Sequence, residues 1–304
     1  MKLNAKARTE YVRIPLLPSR KLAVMRRALR IFKYSVLALY LFIPLLGCTF
    51  NPSKTTQKIC QNCKQIILNS KGDYPLIAYT RVNEVEPDGL IHIYLEGDGR
   101  PWVKGIWPAK NPNSREMTAL RLMAQDKYPA IYLNRPCYGY QKLPPSCSPD
   151  LWTSARYSAT VVTALNSALT ELAHQFPNQR WILIGHSGGG TLAMLLTQTR
   201  DDVAAILTVA ANLDHKAWTE THGYLPLHES LNPIEQELLP ANVLRWHLAG
   251  DRDKQVSPEI TKRAADMDPQ ARFILKAGFD HQCCWENQWS EIIAMMRNQL
   301  TGTK

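Results

Sequence analysis

Trp181-Ile182-Leu183-Ile184-Gly185-His186-Ser187-Gly188-Gly189 joins an uncharged apolar run to a glycine-rich turn, and Thr191 to Thr197, Leu-rich and free of Pro and Gly, continues it. The apolar run is rich in branched and aromatic side chains and reads as a buried strand; the segment after the turn reads as a helix. A strand that turns sharply into a helix through G-x-S-x-G carries its serine at the apex. The flanking glycines tolerate strained backbone and close packing there, and the hydroxyl is exposed. Ser187 is therefore the candidate nucleophile. The bare pattern also occurs in ordinary glycine-rich turns, so the flanking strand and helix, rather than the five residues, carry the reading.

Outward from this turn, short apolar runs alternate with longer stretches of helical period. Expected strands are 76–80, 90–95, 130–134, 181–185, 204–210, 243–249 and 272–276. Most are apolar throughout, as expected where helices cover both faces of a parallel sheet. The clearest helix opens at Ser148-Pro149-Asp150, sets Val161, Leu165, Ala168, Leu169, Leu172 and Phe176 on one face, and stops at Pro177. The fold class is α/β, a mostly parallel sheet with helices on both faces. Residues 215–241 interrupt the rhythm and carry Trp218, Tyr224, Leu225, Leu227, Leu231, Leu238 and Leu239. They are expected to form a short cap insertion whose apolar side chains wall a pocket, with plain helix core as the alternative.

A serine nucleophile needs a base to take its proton and an acid to orient that base. After the run at 243–249 comes Gly250-Asp251-Arg252-Asp253-Lys254-Gln255-Val256, and after the last run comes Gly278-Phe279-Asp280-His281. His281 is the candidate base. Three segments thus each place a required residue type just beyond a strand's carboxyl end, where open α/β sheets build their sites. His92-Ile93-Tyr94-Leu95-Glu96-Gly97-Asp98-Gly99 supplies a further loop, whose backbone can donate to an oxyanion together with the amide of Gly188. Asp98 is the second donor, and its carboxylate must point away, since negative charge aimed at an oxyanion opposes catalysis. Glu96 and Asp98 as solvated turn residues are the alternative. His186, beside the nucleophile on a tight turn, is expected to point away and is assigned no proton transfer.

With these residues in place, 75–304 resembles the α/β-hydrolase superfamily of serine hydrolases. In that family the acid commonly stands in G-x-x-D-x-x-V, which Gly250, Asp253 and Val256 fit, so the resemblance implies Asp253 rather than Asp251 as the acid. Asp214 in Asn212-Leu213-Asp214 is the lesser candidate, with a helix cap or turn as its other reading. Glu96-Gly97 stands where the family often has His-Gly. A smaller group of bacterial lipoprotein hydrolases is similar in its E-G-D-G with a nearby tryptophan, here Trp102, and in the stretch from Asn212 through Trp218-Thr219 to Ser230-Leu231-Asn232-Pro233. The resemblance implies acyl transfer through an acyl-enzyme on Ser187, with a small-molecule carboxylic ester as default substrate and no metal or organic cofactor. A non-catalytic surface lipoprotein, a serine peptidase and an acyltransferase are the alternatives.

The formal charge of +10 does not mark a nucleic-acid binder. Residues 1–47 hold ten of the 36 basic residues and only one acid, Glu10, leaving 26 against 25 in the remainder. Arg26, Arg27, Arg30 and Lys33 precede the uncharged run Tyr34 to Gly47 and then Cys48. That apolar core is short for a spanning helix, which needs about 20 residues, and suits a signal peptide. Leu45-Leu46-Gly47-Cys48 looks like a lipobox with Cys48 as the acylated residue; an uncleaved anchor interrupted by Pro44 is the alternative. The organisation expected is a leader over 1–47, with a start at Met25 as its preferred form, an anchor-proximal linker over 48–74 and a catalytic domain over 75–304. The expected location is the bacterial cell envelope, the domain outside the cytoplasm and the membrane reached through the lipid. Thr49, in place of the aspartate associated with inner-membrane retention, points to the outer membrane. Six further cysteines in an oxidising compartment suggest disulfides. Cys137 with Cys147 is the first pairing expected, and Cys283 and Cys284 are each expected to reach elsewhere, toward Cys60 and Cys63.

Overall fold

The computed structural model describes residues 50–69, 74–84 and 86–302, together with Arg27. The leader apart from Arg27, including Met25, and Cys48 and Thr49 lie outside these residues. In chain order come α1 (Pro52–Ile59), β1 (Lys64–Leu68), β2 (Leu76–Arg81), β3 (Leu90–Leu95), the short β4 (Trp102–Val103) and β5 (Trp107–Pro108), α2 (Thr118–Gln125), β6 (Ala130–Leu133) and α3 (Ala159–Gln175). These are followed by β7 (Arg180–His186), α4 (Gly188–Thr197), β8 (Val203–Val209), α5 (His215–His222), β9 (Leu244–Gly250), α6 (Pro258–Asp266), β10 (Ala271–Lys276) and α7 (Trp289–Thr301). The main sheet has the order β1-β2-β6-β3-β7-β8-β9-β10. From β6 to β10 all neighbours are parallel; only β1 on β2 and β2 on β6 are antiparallel.

The uniformly apolar strands have the reason expected of them. Along β7, Trp181 and Leu183 pack into one layer with Leu165, Leu169 and Leu172 of α3, while Ile182 and Ile184 pack into the opposite layer with Trp289 and Ile293 of α7. Successive strand side chains point to opposite faces, so two covered faces demand apolar residues at every position. α7 is also fastened by a buried polar chain. Asp126 accepts from His92 Nδ1 at 2.6 Å and from the Tyr94 hydroxyl at 2.5 Å, and that hydroxyl accepts from Trp289 Nε1 at 2.9 Å. Arg297 Nη1 lies 3.0 Å from His92 Nε2, so the imidazole must accept there and donate through Nδ1.

The structure corrects three expectations. Residues 52–68, read as part of a linker, contribute α1 and the edge strand β1, which pairs with β2 in register from Lys64–Thr80 to Leu68–Leu76. Only Leu68 of β1 is buried, so an apolar strand signal is missing where one face and one edge meet solvent. Ser148-Pro149-Asp150 opens a short 3-10 turn, Pro149–Trp152; the long helix begins at Ala159 under Ser158, whose side chain accepts from Val161 N at 3.4 Å. Finally, Cys137 is bonded to Cys147 as expected, whereas Cys60 is bonded to Cys63 and Cys283 to Cys284, not across to one another. Each of these pairs shares one tight turn: Cys60 ends α1 with Cys63 N donating to its carbonyl at 3.3 Å, and Cys283 follows the turn that Asp280 caps.

β9 carries a buried titratable group, His247, whose Nδ1 lies 2.9 Å from Thr208 Oγ1. Burial, with Arg245 adding to it, pushes this imidazole from 6.5 down to about 4. Between those values the unfolded chain binds a proton that the folded chain does not, so lowering the pH from 6.5 to 4 costs on the order of 3 kcal/mol of stability from this group. Urea unfolding over a pH series should show a shallower loss of stability from neutral pH to pH 4 in His247→Gln than in the native protein.

Candidate active site

Ser187 sits between β7 and α4 at φ 52°, ψ −123°, a conformation that costs a side chain on the order of 1–3 kcal/mol and persists only where the surroundings impose it. They do impose it. A Cβ on Gly189 would lie 2.1 Å from the Leu95 carbonyl oxygen, so the first turn of α4 is pressed against the end of β3. Ser187 N donates to Val209 O at 2.9 Å, tying the turn to β8 on its other side. The loop after β3 runs beside the serine: a Cβ on Gly97 would be 3.1 Å from Ser187 Cβ. Among the described residues, the amides of Asp98 and Gly188 have no backbone or side-chain acceptor, as a pair awaiting an oxyanion requires.

Asp98 and Glu96 are not solvated turn residues. The Asp98 carboxylate accepts from Arg135 Nη1 at 2.5 Å, Arg156 Nη1 at 2.9 Å and the Tyr157 hydroxyl at 2.6 Å. Burial alone would raise this carboxyl, but Arg156 and Arg135 overcome it and hold the group well below the usual carboxylate range. The carboxylate nevertheless lies close in, since a Cβ on Gly188 would be 2.1 Å from Asp98 Oδ1. Two guanidinium groups against one carboxylate leave the cluster net positive, so the anion that sequence reasoning required to point away is neutralised where it stands. Arg135, Arg156 and Tyr157 were missed in the sequence. Their one signal is position: Arg135 follows the end of β6, and Arg156-Tyr157 precedes α3. Glu96 is buried, accepts from Gly97 N at 3.2 Å and Ala119 N at 3.4 Å, and takes the Tyr132 hydroxyl at 3.3 Å.

The structure brings His281 and Asp253 together. His281 Nδ1 lies 2.8 Å from Asp253 Oδ2, while Asp253 Oδ1 accepts from Gln255 N and Val256 N at 2.8 and 2.9 Å. The G-x-x-D-x-x-V spacing thus returns as the turn that holds the carboxylate. Asp214 is elsewhere: it caps α5, its side chain accepting from Ala217 N at 3.2 Å and Asn232 Nδ2 at 3.0 Å. His186 has a part that sequence reasoning did not find. Its Nε2 donates to the His281 carbonyl at 2.7 Å and its Nδ1 faces Glu96 Oε1 at 3.7 Å, so it holds the main chain of the candidate base.

Ser187, His281, Asp98 and Gly97 line one cavity of about 760 Å³. Trp218, Tyr224, Leu225 and Leu227 of the cap insertion line it too, as expected of them. Leu231, Leu238 and Leu239 do not: Leu239 is buried in the core, and Leu231 and Leu238 are exposed. Burial, with His186 adding to it, outweighs Asp253 and holds the His281 imidazole below 6.5. This favours the neutral, proton-accepting form at neutral pH. By nuclear magnetic resonance His281 should titrate below 6.5, and lower still in Asp253→Asn, which removes an interaction that favours the cation.

Comparison with solved structures places this arrangement in a known fold. An esterase of Pyrococcus furiosus superposes with a TM-score of 0.56 at 11% identity, over 80% of this chain and 94% of that one. Est1E of Butyrivibrio proteoclasticus gives 0.51 at 12%, over 79% and 99%. An acylaminoacyl peptidase of Pyrococcus horikoshii gives 0.52 at 14%, over 80% of this chain and 42% of that longer one. The chain adopts the α/β-hydrolase fold. No protein-family model matches the sequence, and no curated protein is similar to it.

Proposed function

We propose that this chain is a serine hydrolase that cleaves carboxylic esters through an acyl-enzyme on Ser187. One observation carries the reading: a serine held at positive φ on a strand-to-helix turn shares a cavity with an imidazole whose far nitrogen is bound to a buried aspartate. The esterases among the structural neighbours are consistent with it. Asp253 fixes the tautomer of His281 by accepting from Nδ1, which leaves Nε2 as the base. Ser187 Oγ attacks the ester carbonyl as its proton passes to Nε2. The oxyanion that forms is received by the amides of Gly188 and Asp98, with the net positive Asp98–Arg135–Arg156 cluster behind them. Collapse breaks the bond to the alcohol, which leaves with the proton from His281, and water repeats the sequence to release the acid. The apolar part of the cavity wall, Trp102, Ile106, Trp218, Leu225 and Leu227, suits an acyl or aromatic group.

We also propose that the domain is held outside the cytoplasm by a lipid on Cys48 after removal of residues 1–47, a reading supported by the basic cluster at 26–33, the uncharged run 34–47 and Cys48. Metabolic labelling with a fatty acid should mark the native chain and not Cys48→Ser; labelling of both would refute this placement.

Turnover of nitrophenyl esters of graded chain length tests the chemistry. Ser187→Ala should lower kcat by about 10⁴-fold or more, and Asp253→Asn by about 10⁴-fold. The acid limb of kcat/KM should fall below pH 6.5, following the depressed His281. Equal rates in native protein and Ser187→Ala would remove Ser187 from the reaction.

A further inference from the structure

Ile106, Tyr224 and Leu225 are exposed apolar side chains of the cavity lining, and Val103 and Trp107 are exposed on the same hairpin as Ile106. Val103 is 49% exposed, Ile106 and Trp107 are each 68%, Tyr224 is 55% and Leu225 is 80%. Three of them belong to the β4–β5 hairpin, a two-stranded unit outside the main sheet. Trp102, Gly105 and Ile106 of this hairpin line the cavity from one side, and Tyr224 and Leu225 line it from the other. Exposure of this kind, grouped at and beside one opening, is unlike the single scattered residues of an ordinary surface.

The hairpin is also stiff and basic. Lys104 and Gly105 have φ of 52° and 71°, both in the left-handed region that a tight two-residue hairpin turn requires. Ile106 N donates to Val103 O at 3.2 Å, and the base is tied by Ala109 N to Pro101 O and Arg100 N to Pro112 O, each 2.8 Å. Val103 and Trp107 are cross-strand partners, so their side chains share a face. Residues 99–115 contain Arg100, Lys104, Lys110 and Arg115 and no acid, all four are exposed, and none joins an ion pair among the described residues. The opposite rim is ordered as well: Tyr224 stacks on His222 at 5.1 Å, and His222 and Trp218 both hydrogen-bond the Gln255 carbonyl.

Tryptophan and aliphatic side chains beside unpaired lysine and arginine are the composition that seats at the boundary between anionic headgroups and acyl chains. We propose that this rim docks on an anionic lipid surface and brings the cavity mouth to it, so that the ester is taken from that surface. The docking face stands on the exposure and charge of the hairpin; that the mouth is catalytic rests on the hydrolase reading above.

Tryptophan quenching by vesicles of brominated phosphatidylglycerol and phosphatidylcholine tests this with the full chain. Residues 1–49 contain no tryptophan, and Trp152, Trp181, Trp246, Trp285 and Trp289 are buried, so an apolar leader inserted by itself leaves the signal unchanged. The expected result is quenching that is stronger with the anionic lipid and falls by about half or more in Trp107→Phe. Val103→Glu/Lys104→Glu should weaken the quenching-derived affinity by about tenfold, while hydrolysis of a short soluble ester stays at the native rate. Absent quenching, or quenching unchanged in Trp107→Phe, overturns the docking. So does a native dimer that Val103→Glu splits, because the face then belongs to a second copy. Ester turnover without quenching defeats the docking and leaves the hydrolase; quenching without turnover of any ester does the reverse.

Discussion

The approach of α4 to the end of β3 is the constraint on which the rest of the site depends. The Leu95 carbonyl occupies the space that a side chain at position 189 would need, and so the chain can pass from β7 into α4 only through glycine and only by a sharp turn. That turn puts Ser187 into a strained backbone conformation at the carboxyl edge of the sheet. Because β3 and β7 are parallel neighbours, the loop leaving β3 arrives at the same edge and lays Gly97 and Asp98 beside the serine. Strain and proximity thus have one cause: two parallel strands ending side by side.

Bringing Asp98 this close creates an electrostatic problem that other parts of the chain resolve. Its carboxylate is held by Arg135 from the end of β6 and by Arg156 and Tyr157 from the turns before α3. A lone buried carboxylate would be costly; the two guanidinium groups offset much of that cost, and the surplus positive charge suits a site where an anion is to form. Across the cavity, His281 is kept below its ordinary pKa by burial while Asp253 fixes its tautomer. His186, through the His281 carbonyl, ties the base to the turn that carries the nucleophile. The turn is therefore coupled to His281 by a direct hydrogen bond as well as by the sheet.

The walls of the cavity come from two insertions at this edge, the β4–β5 hairpin and residues 215–227. Neither adds a strand to the main sheet. Both are nonetheless fixed, the hairpin by its turn and base hydrogen bonds and the other rim by the stacking of His222 on Tyr224 and the edge-on contacts of Trp218 with both. An apolar rim that is already ordered loses little conformational freedom on meeting a partner.

The sequence by itself determined the strands that lie between two covered faces, because such strands are apolar at every position and announce themselves locally. It also marked the Ser187 turn, the aspartate-bearing turn after β9 and the His281 loop as positions, because each follows a strand end within a few residues; the choice of Asp253 within its turn came from the family resemblance. Only the tertiary structure decided what those positions meet. β1 stayed hidden because an edge strand with one solvated face shows little apolar signal, and Ser158 rather than Ser148 caps α3, after turns from which Arg156 and Tyr157 reach Asp98. The cysteine pairings were open for the same reason, since spacing allows many and contact selects one set. Partners such as Arg135 with Asp98, or His186 with the His281 carbonyl, lie 37 and 95 positions apart and leave no periodic trace. They are chosen by strand order, which is a property of packing and not of any local stretch of residues.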